Sequence, residues 1–428
     1  MEHFLFAAYL ILFSWLITKI KFFKNSGLTP AQLVIFFLLK VMAGILYGWI
    51  GVYYGQMAQM VDTWAYHYES LQEYHLLLTD PAKFISSLFH NTYEGGYTNF
   101  LVSKNSWWND LKANFLIKVM AIFDVASFGH YYINLIFYSF LSLFGPIAVY
   151  RVMSDIFRSR TTVVLLACFL VPSFIYWTSG LHKEGFIFLG LGLVVYNLYF
   201  GFKEHKFGAQ RIAMATLGFL LVLVLRNFLI LTLVPAMLAW ILASKLKYRP
   251  IFIYGIVYVF TLLIFFTAKY IDPKLDFPEA VAIKQQEFLA LGGNSAVRVN
   301  ELEPNFKSFV TNAPQAFIIS AVRPFPADVQ HLLSLAAAVE INALILFFFA
   351  FLFFRKNRSL RLSPFLLFCL FFSFSVLMMI GYSVNVLGAI VRYRSIVFPF
   401  LVVPMAANTD WRRIAALISG GMTSKQNM

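Results

Sequence analysis

The chain has 428 residues, of which 60% are hydrophobic and 13% are charged, and its mean hydropathy is +0.73. Soluble domains are roughly 45–50% apolar and about 25% charged, so this composition excludes a water-soluble enzyme, a disordered chain and a coiled coil. The net charge of +14 would by itself suggest nucleic-acid binding. In so hydrophobic a chain it instead predicts a polytopic membrane protein, whose basic residues follow the topology.

Long apolar runs along the whole chain predict an all-α, polytopic transmembrane helical bundle with about 11 spans. A span needs about 20 mostly apolar residues, and these runs lack the alternation of a transmembrane barrel. The predicted spans are residues 4–18, 31–55, 131–150, 162–178, 185–201, 212–225, 227–243, 250–268, 335–354, 364–382 and 395–411. Residues 212–243 are short for two full spans and long for one, and the basic loops on both flanks favour a tight hairpin.

Basic residues predict the orientation of these spans, because short cytoplasmic loops carry an excess of Lys and Arg. Alternate short loops are basic, at residues 19–24, 151–160, 203–211, 245–249, 355–361 and 412–425. We therefore expect residues 1–428 to form a single integral membrane domain in a bacterial cytoplasmic membrane, with the N-terminus outside and the C-terminus inside. Two longer outer-face loops, 56–130 and 269–334, are predicted to contain short helices.

The first candidate site residue is Asp62, which follows the second predicted span. If residues 62–69 are helical, Asp62, Tyr66 and Glu69 share one face of the helix. A carboxylate at the membrane rim can act as a general base, as a metal ligand or as a stabiliser of a developing cation. The alternative is an interfacial aromatic belt with solvated acids.

A second candidate stretch, residues 172–184, ends one predicted span and begins the next. It ends with His182, Lys183 and Glu184, at the start of a helix whose free N–H groups favour an anion. Lys183 adds a point charge, so the stretch suits a phosphate at the outer membrane surface. A polar turn with a local Lys–Glu pair is the other interpretation.

Arginines on predicted outer loops oppose the topology rule, and Arg392 and Arg394 in particular need an anionic partner. Arg226 lies at the tip of the apolar hairpin, where it either reaches the headgroups or faces a cavity. Arg392 and Arg394 are suited to phosphate oxygens. For Arg323, which precedes Pro324, a structural role at a span entrance is the favoured interpretation.

The architecture and these motifs resemble bacterial GT-C-type membrane glycosyltransferases and the related surface-polysaccharide polymerases. The resemblance rests on Asp62 in a long first outer loop, on residues 172–184, on Arg323-Pro324-Phe325-Pro326 and on Arg392-Tyr393-Arg394. It implies that Asp62 lies near the reacting sugar and that basic residues hold the phosphate of a polyprenyl-linked sugar. The adjacent acid pair of some members is missing here, so we expect no bound metal, although a divalent cation remains open.

The resemblance implies transfer of a sugar from a polyprenyl-phosphate-linked donor to an envelope glycan or lipid acceptor on the outer face. In that mechanism Asp62 takes the acceptor proton or steadies the oxocarbenium-like centre, and the donor tail lies among membrane lipids. The residues expected to bind substrate are Tyr66, His182, Lys183, Glu184, Arg226, Arg323, Arg392 and Arg394.

Two other functions use similar parts. In a polysaccharide polymerase or ligase, the outer arginines would bind two lipid diphosphates. A membrane transporter of a lipid-linked or small anionic substrate would place charges within its spans, where Lys40 and Arg226 are the cationic candidates. No nucleic-acid partner is expected.

Overall fold

The computed structural model describes residues 2–58, 62–94, 96–97, 100–101, 105–293, 295–356 and 363–423. Over these residues the chain is helical, with isolated bridges in place of strands, which confirms the predicted all-α class. The helices are α1 (Glu2–Lys19), α2 (Lys21–Lys24), α3 (Pro30–Ala58), α4 (Asp62–Thr79), α5 (Pro81–Ser86), α6 (Trp107–Ser127), α7 (Tyr131–Ile156), α8 (Thr161–Phe169), α9 (Pro172–Ser179), α10 (Lys183–Lys203), α11 (Ala209–Leu225), α12 (Asn227–Lys245), α13 (Pro250–Thr267), α14 (Phe277–Ala290), α15 (Phe306–Ala321), α16 (Leu332–Phe353), α17 (Pro364–Ser383), α18 (Leu387–Ser395), α19 (Phe398–Asn408) and α20 (Trp411–Thr423).

Within the described ranges, eight helices are long and apolar enough to cross a membrane, which makes the chain an integral membrane protein. They are α1, α3, α7, α10, α12, α13, α16 and α17. Two predicted spans, 162–178 and 395–411, correspond instead to bent helix pairs. The α8–α9 pair bends by 56° and the α18–α19 pair by 62°.

Residues 212–243 form two helices that reverse at Arg226. Near its start α11 lies beside the end of α10, since Arg211 donates to the Phe200 carbonyl at 3.0 Å. At the far end of α12, Trp240 returns to the same level, with its ring 6.2 Å from that of Phe202. The chain therefore makes the tight hairpin that the sequence favoured.

The hairpin defines the two ends of the bundle. We call the end that carries Arg226 and the start of α10 the site end, and the end that carries Lys203 the basic end. Basic loops gather at the basic end, where Arg158, Lys203 and Lys356 line one surface groove. Arg358, Arg361 and Lys425, which were predicted to add to this charge, lie outside the described residues.

The two longer segments form helices of their own. Residues 56–130 contain α4, α5 and α6, and residues 269–334 contain α14 and α15. At 18 and 21 residues, α4 and α6 are longer than the short helices expected there.

Charged groups from two spans hold the ends of the short helix α9. At its N-terminus, the Ser173 backbone N–H donates to the Glu340 carboxylate of α16 at 3.1 Å. At its C-terminus, the buried Lys40 ammonium of α3 donates to the Thr178 carbonyl. Each charge has the sign that complements the helix dipole at its end, so α9 presents the following turn, residues 180–184, in a fixed position.

Candidate functional site

Four segments bring the candidate residues together at the site end. Asp62 and Tyr66 come from the start of α4, and Lys183 and Glu184 from the start of α10. Arg226 joins α11 to α12, Arg392 lies on α18, and His182 caps α10. Asp62 and Arg392, which are 330 positions apart in sequence, are in hydrogen-bonding contact.

Glu184 is the buried centre of the cluster, with no exposed side-chain surface. Its Oε1 accepts a hydrogen bond from Arg226 at 2.6 Å and lies 3.6 Å from Nε of Arg392. The other carboxylate oxygen, Oε2, faces Nδ1 of His182. A carboxylate in such surroundings is stable only because it is paired on both oxygens.

Asp62 lies at the solvent side of the cluster, and about half of its side chain is exposed (52%). Its Oδ2 is 3.0 Å from Arg392 NH1 and 3.3 Å from Nε2 of His182. When Nε2 of His182 carries a proton, its hydrogen bond to Asp62, helped by the Arg392 charge, lowers the pKa of Asp62 well below its usual range. Asp62 is therefore an anion at neutral pH and a weak proton acceptor.

The imidazole of His182 bridges the two carboxylates and is almost completely buried. Because an ionised carboxylate only accepts hydrogen bonds, contact with Glu184 places an N–H at Nδ1, while Nε2 lies 3.3 Å from NH1 of Arg392 and can accept from that guanidinium. The backbone is fixed as well, since the Tyr138 hydroxyl donates to the His182 carbonyl and accepts from Gly185 N at 3.0 Å. Histidine and carboxylate arranged in this way can exchange a proton with a substrate.

Aromatic rings surround the cations of the site. The Arg226 and Arg392 guanidinium carbons lie 4.1 and 4.9 Å from the centre of the Tyr393 ring. The Lys183 ammonium lies 5.1 Å from the ring centre of Tyr66. Burial, together with the Asp62 charge, raises the pKa of Tyr66, so this phenol stays neutral.

The site residues other than the buried Glu184 line a cavity of about 160 Å³. One wall is polar and holds Asp62, His182, Lys183, Arg226 and Arg392. A mainly apolar part of the lining comes from α12 and from the end of α17, namely Leu229, Val376, Met379, Ile380 and Val384, with Thr232 among them. The volume is below that of a drug-sized pocket, ~300–1,000 Å³, so the cavity encloses the charged part of a ligand rather than a whole drug-sized molecule.

Two lysines that the motifs did not indicate also line this cavity. Lys112 comes from α6 and Lys284 from α14, one from each of the longer segments. Burial and the nearby charges of Lys183, Lys284 and Arg226 lower the pKa of Lys112 to about 7. In the sequence, the only indication of these two lysines is that they are basic residues on predicted outer loops, where the positive-inside rule disfavours positive charge.

Two of the predicted binding residues lie elsewhere. Arg394 is buried, and its guanidinium donates to the Ser320 carbonyl at 3.0 Å and to the Arg323 carbonyl, which caps the end of α15. Arg323 lies 3.7 Å from Asp328, as expected for an ordered loop. Neither side chain lines the described cavity.

In the part of the chain that the structure describes, no group of three His, Cys, Asp or Glu side chains is placed to hold a metal. No protein-family model, curated protein or solved structure matches the sequence or the fold. The function is therefore argued from the chemistry of the cavity.

Proposed function

We propose that this protein is a membrane glycosyltransferase that moves a sugar from a polyprenyl-linked phosphate donor to an envelope glycan or lipid acceptor. One observation carries the proposal: a single cavity joins an anionic carboxylate and several cations to an apolar wall between two membrane helices. An amphiphilic donor has the same division, because its phosphate is charged and its tail is apolar.

Cations near the cavity support the departure of the leaving group. In the proposed reaction, the bond between the sugar C1 and the phosphate oxygen breaks, and the phosphate keeps the electron pair. Lys183, Arg226 and Arg392 line the cavity and stabilise that charge. The apolar wall along α12 and α17 receives the first isoprene units of the tail.

Asp62 and His182 have separate roles in the proposed reaction, one in stabilising charge and the other in accepting a proton. The low pKa of Asp62 suits a fixed negative charge that steadies the oxocarbenium-like C1. Nε2 of His182 takes the proton of the acceptor hydroxyl as the new C1–O bond forms, while Glu184 orients the ring. We place the site end at the outer face of a bacterial cytoplasmic membrane, with the N-terminus outside and the C-terminus inside, because the basic end then satisfies the positive-inside rule.

Asp62→Asn tests this function. In a deletion strain that carries this variant, the envelope glycan should lack the sugar that the wild-type gene restores, while membrane insertion stays normal. Asp80→Asn is the matched control, because Asp80 caps α5 and Asn caps helices equally well. Wild-type glycan in the Asp62→Asn strain would show the assignment to be wrong.

A surface-polysaccharide polymerase or ligase is the second candidate, and the paired guanidiniums of Arg226 and Arg392 beside Tyr393 favour it. Two arginines suit the oxygens of more than one phosphate. Glycan chain length separates the two functions. Loss of a polymerase leaves single repeat units on the lipid carrier, whereas loss of a transferase leaves repeat units that lack one sugar.

A further inference from the structure

We infer that the cavity binds its lipid donor through a diphosphate diester, which carries two negative charges, rather than through a phosphate diester, which carries one. This inference rests on the proposed function and narrows its substrate class. It depends on the balance of charge around the cavity and on where the uncompensated cations lie.

Cations outnumber carboxylates at this site. Five cationic side chains line the cavity: Lys112, Lys183, Arg226, Lys284 and Arg392. Three carboxylates compensate them, because Arg226 and Arg392 contact Glu184 and Asp62, and Lys284 lies 3.0 Å from Glu287. Two of the five cations therefore have no carboxylate partner among the described residues.

The two cations without a carboxylate partner are Lys112 and Lys183. Neither ammonium forms an ion pair with a residue in the described ranges, although Lys183 lies over the Tyr66 ring. An unpaired ammonium beside other cations in a partly desolvated cavity is unfavourable. Such an arrangement is retained where a ligand supplies the missing anions.

The two lysines reach the same cavity from different helices. Lys183 begins α10, next to the carboxylate cluster where the reacting sugar would lie. Lys112, on α6, faces the same cavity together with Lys284 on α14. A phosphate diester would leave one of these charges uncompensated, whereas a diphosphate diester compensates both.

Binding of two farnesyl diesters tests the inference without any assumption about the sugar. The probes are farnesyl methyl diphosphate, with two charges, and farnesyl methyl phosphate, with one. The full-length protein in phosphatidylcholine nanodiscs should bind the diphosphate at least about tenfold more tightly. In Lys112→Gln this preference should fall to near unity, and in Lys112→Arg it should return.

Lys307→Gln is the matched control, because Lys307 is an exposed lysine on α15 and its loss changes the net charge equally. This variant should keep the preference for the diphosphate. A second measurement guards against a folding defect: without ligand, Lys112→Gln should melt at a higher temperature than the wild type, since it removes charge repulsion. A lower melting temperature would give Lys112 a structural role and overturn the inference.

The binding outcomes separate the inference from the function on which it rests. Equal affinity for the two farnesyl probes would overturn the diphosphate assignment and leave the lipid-linked transferase standing. Dimethyl diphosphate, which has no tail, distinguishes a soluble diphosphate from a lipid. If it binds as tightly as the farnesyl diphosphate probe, or if no farnesyl probe binds, the lipid donor is wrong and both proposals fail.

Discussion

Replacing Glu184 by Gln removes the negative charge at the centre of the site while nearly keeping its shape. In the wild type, one oxygen of this buried carboxylate accepts a hydrogen bond from the Arg226 guanidinium, and the other contacts the His182 ring. The glutamine carbonyl can still accept from Arg226. Its NH₂ group then faces Nδ1 of His182, which must become an acceptor.

Two losses follow from this change. Removing one partner of a buried ion pair costs about 3–5 kcal/mol, and because Gln keeps one acceptor we expect about 3 kcal/mol of destabilisation. The imidazole proton also moves from Nδ1 to Nε2, so that Nε2 no longer accepts a proton from the acceptor hydroxyl. Removal of general-base catalysis lowers a rate by about 10²–10⁴-fold.

Unfolding by SDS in mixed micelles measures the first loss, and sugar transfer by the purified protein measures the second. Glu301→Gln, at an exposed position, should change neither quantity. The double variant Glu184→Gln/Arg226→Gln should lose about 1–3 kcal/mol less unfolding free energy than the two single variants lose in total. A Glu184→Gln protein that is as stable and as active as the wild type would refute the reasoning.

Three further predictions concern other parts of the molecule. Arg394→Lys should lower the free energy of unfolding by about 1–2 kcal/mol, because the lysine ammonium is not placed like the NH1 group that donates to both carbonyls at the end of α15. It should leave binding of the farnesyl probes unchanged; weaker binding would place Arg394 in the site. Gly381→Ala should destabilise the α15–α17 contact by about 1–3 kcal/mol in the SDS assay, since its Cβ would clash with the Ala316 carbonyl oxygen. Gly255→Ala, with open space around it, should be neutral. Binding of farnesyl methyl diphosphate should weaken about tenfold between pH 6 and pH 8, because Lys112 loses its charge as the pH rises through its pKa of about 7, and Lys112→Arg should abolish this dependence.

Much of the helical framework is predictable from the sequence, because each long apolar run must satisfy its own backbone hydrogen bonds in a membrane. The bend between α8 and α9 is not, although Pro172 marks it. Hydropathy measures only how apolar a run is, and residues 162–178 are apolar throughout. What stabilises the break is a pair of charges, Lys40 and Glu340, which approach α9 from distant helices.

The site is predictable in part and for a similar reason. Asp62 and Arg392 stand out in the sequence because ionisable groups near apolar segments are costly. Arg394 stands out equally, yet its partners are backbone carbonyls at the end of a helix, and no sequence pattern distinguishes these from a phosphate. Lys112 and Lys284 lie in segments with many polar residues, so only the packing of α6 and α14 against the bundle reveals them.

The short helix α11 has a consequence for the energetics of lipid binding. Its 17 residues span about 25 Å, against about 30 Å for the hydrocarbon layer. Counted from the edge of the layer on the side of the basic end, the tip at Arg226 lies about 5 Å inside the opposite edge, from where the long arginine side chain reaches the lipid phosphates. Lifting a prenyl chain into water costs about 0.8 kcal/mol for each exposed methylene. A donor that diffuses sideways into a cavity at this depth keeps its chain in the bilayer, so that almost all of its binding free energy remains for the phosphates and the sugar.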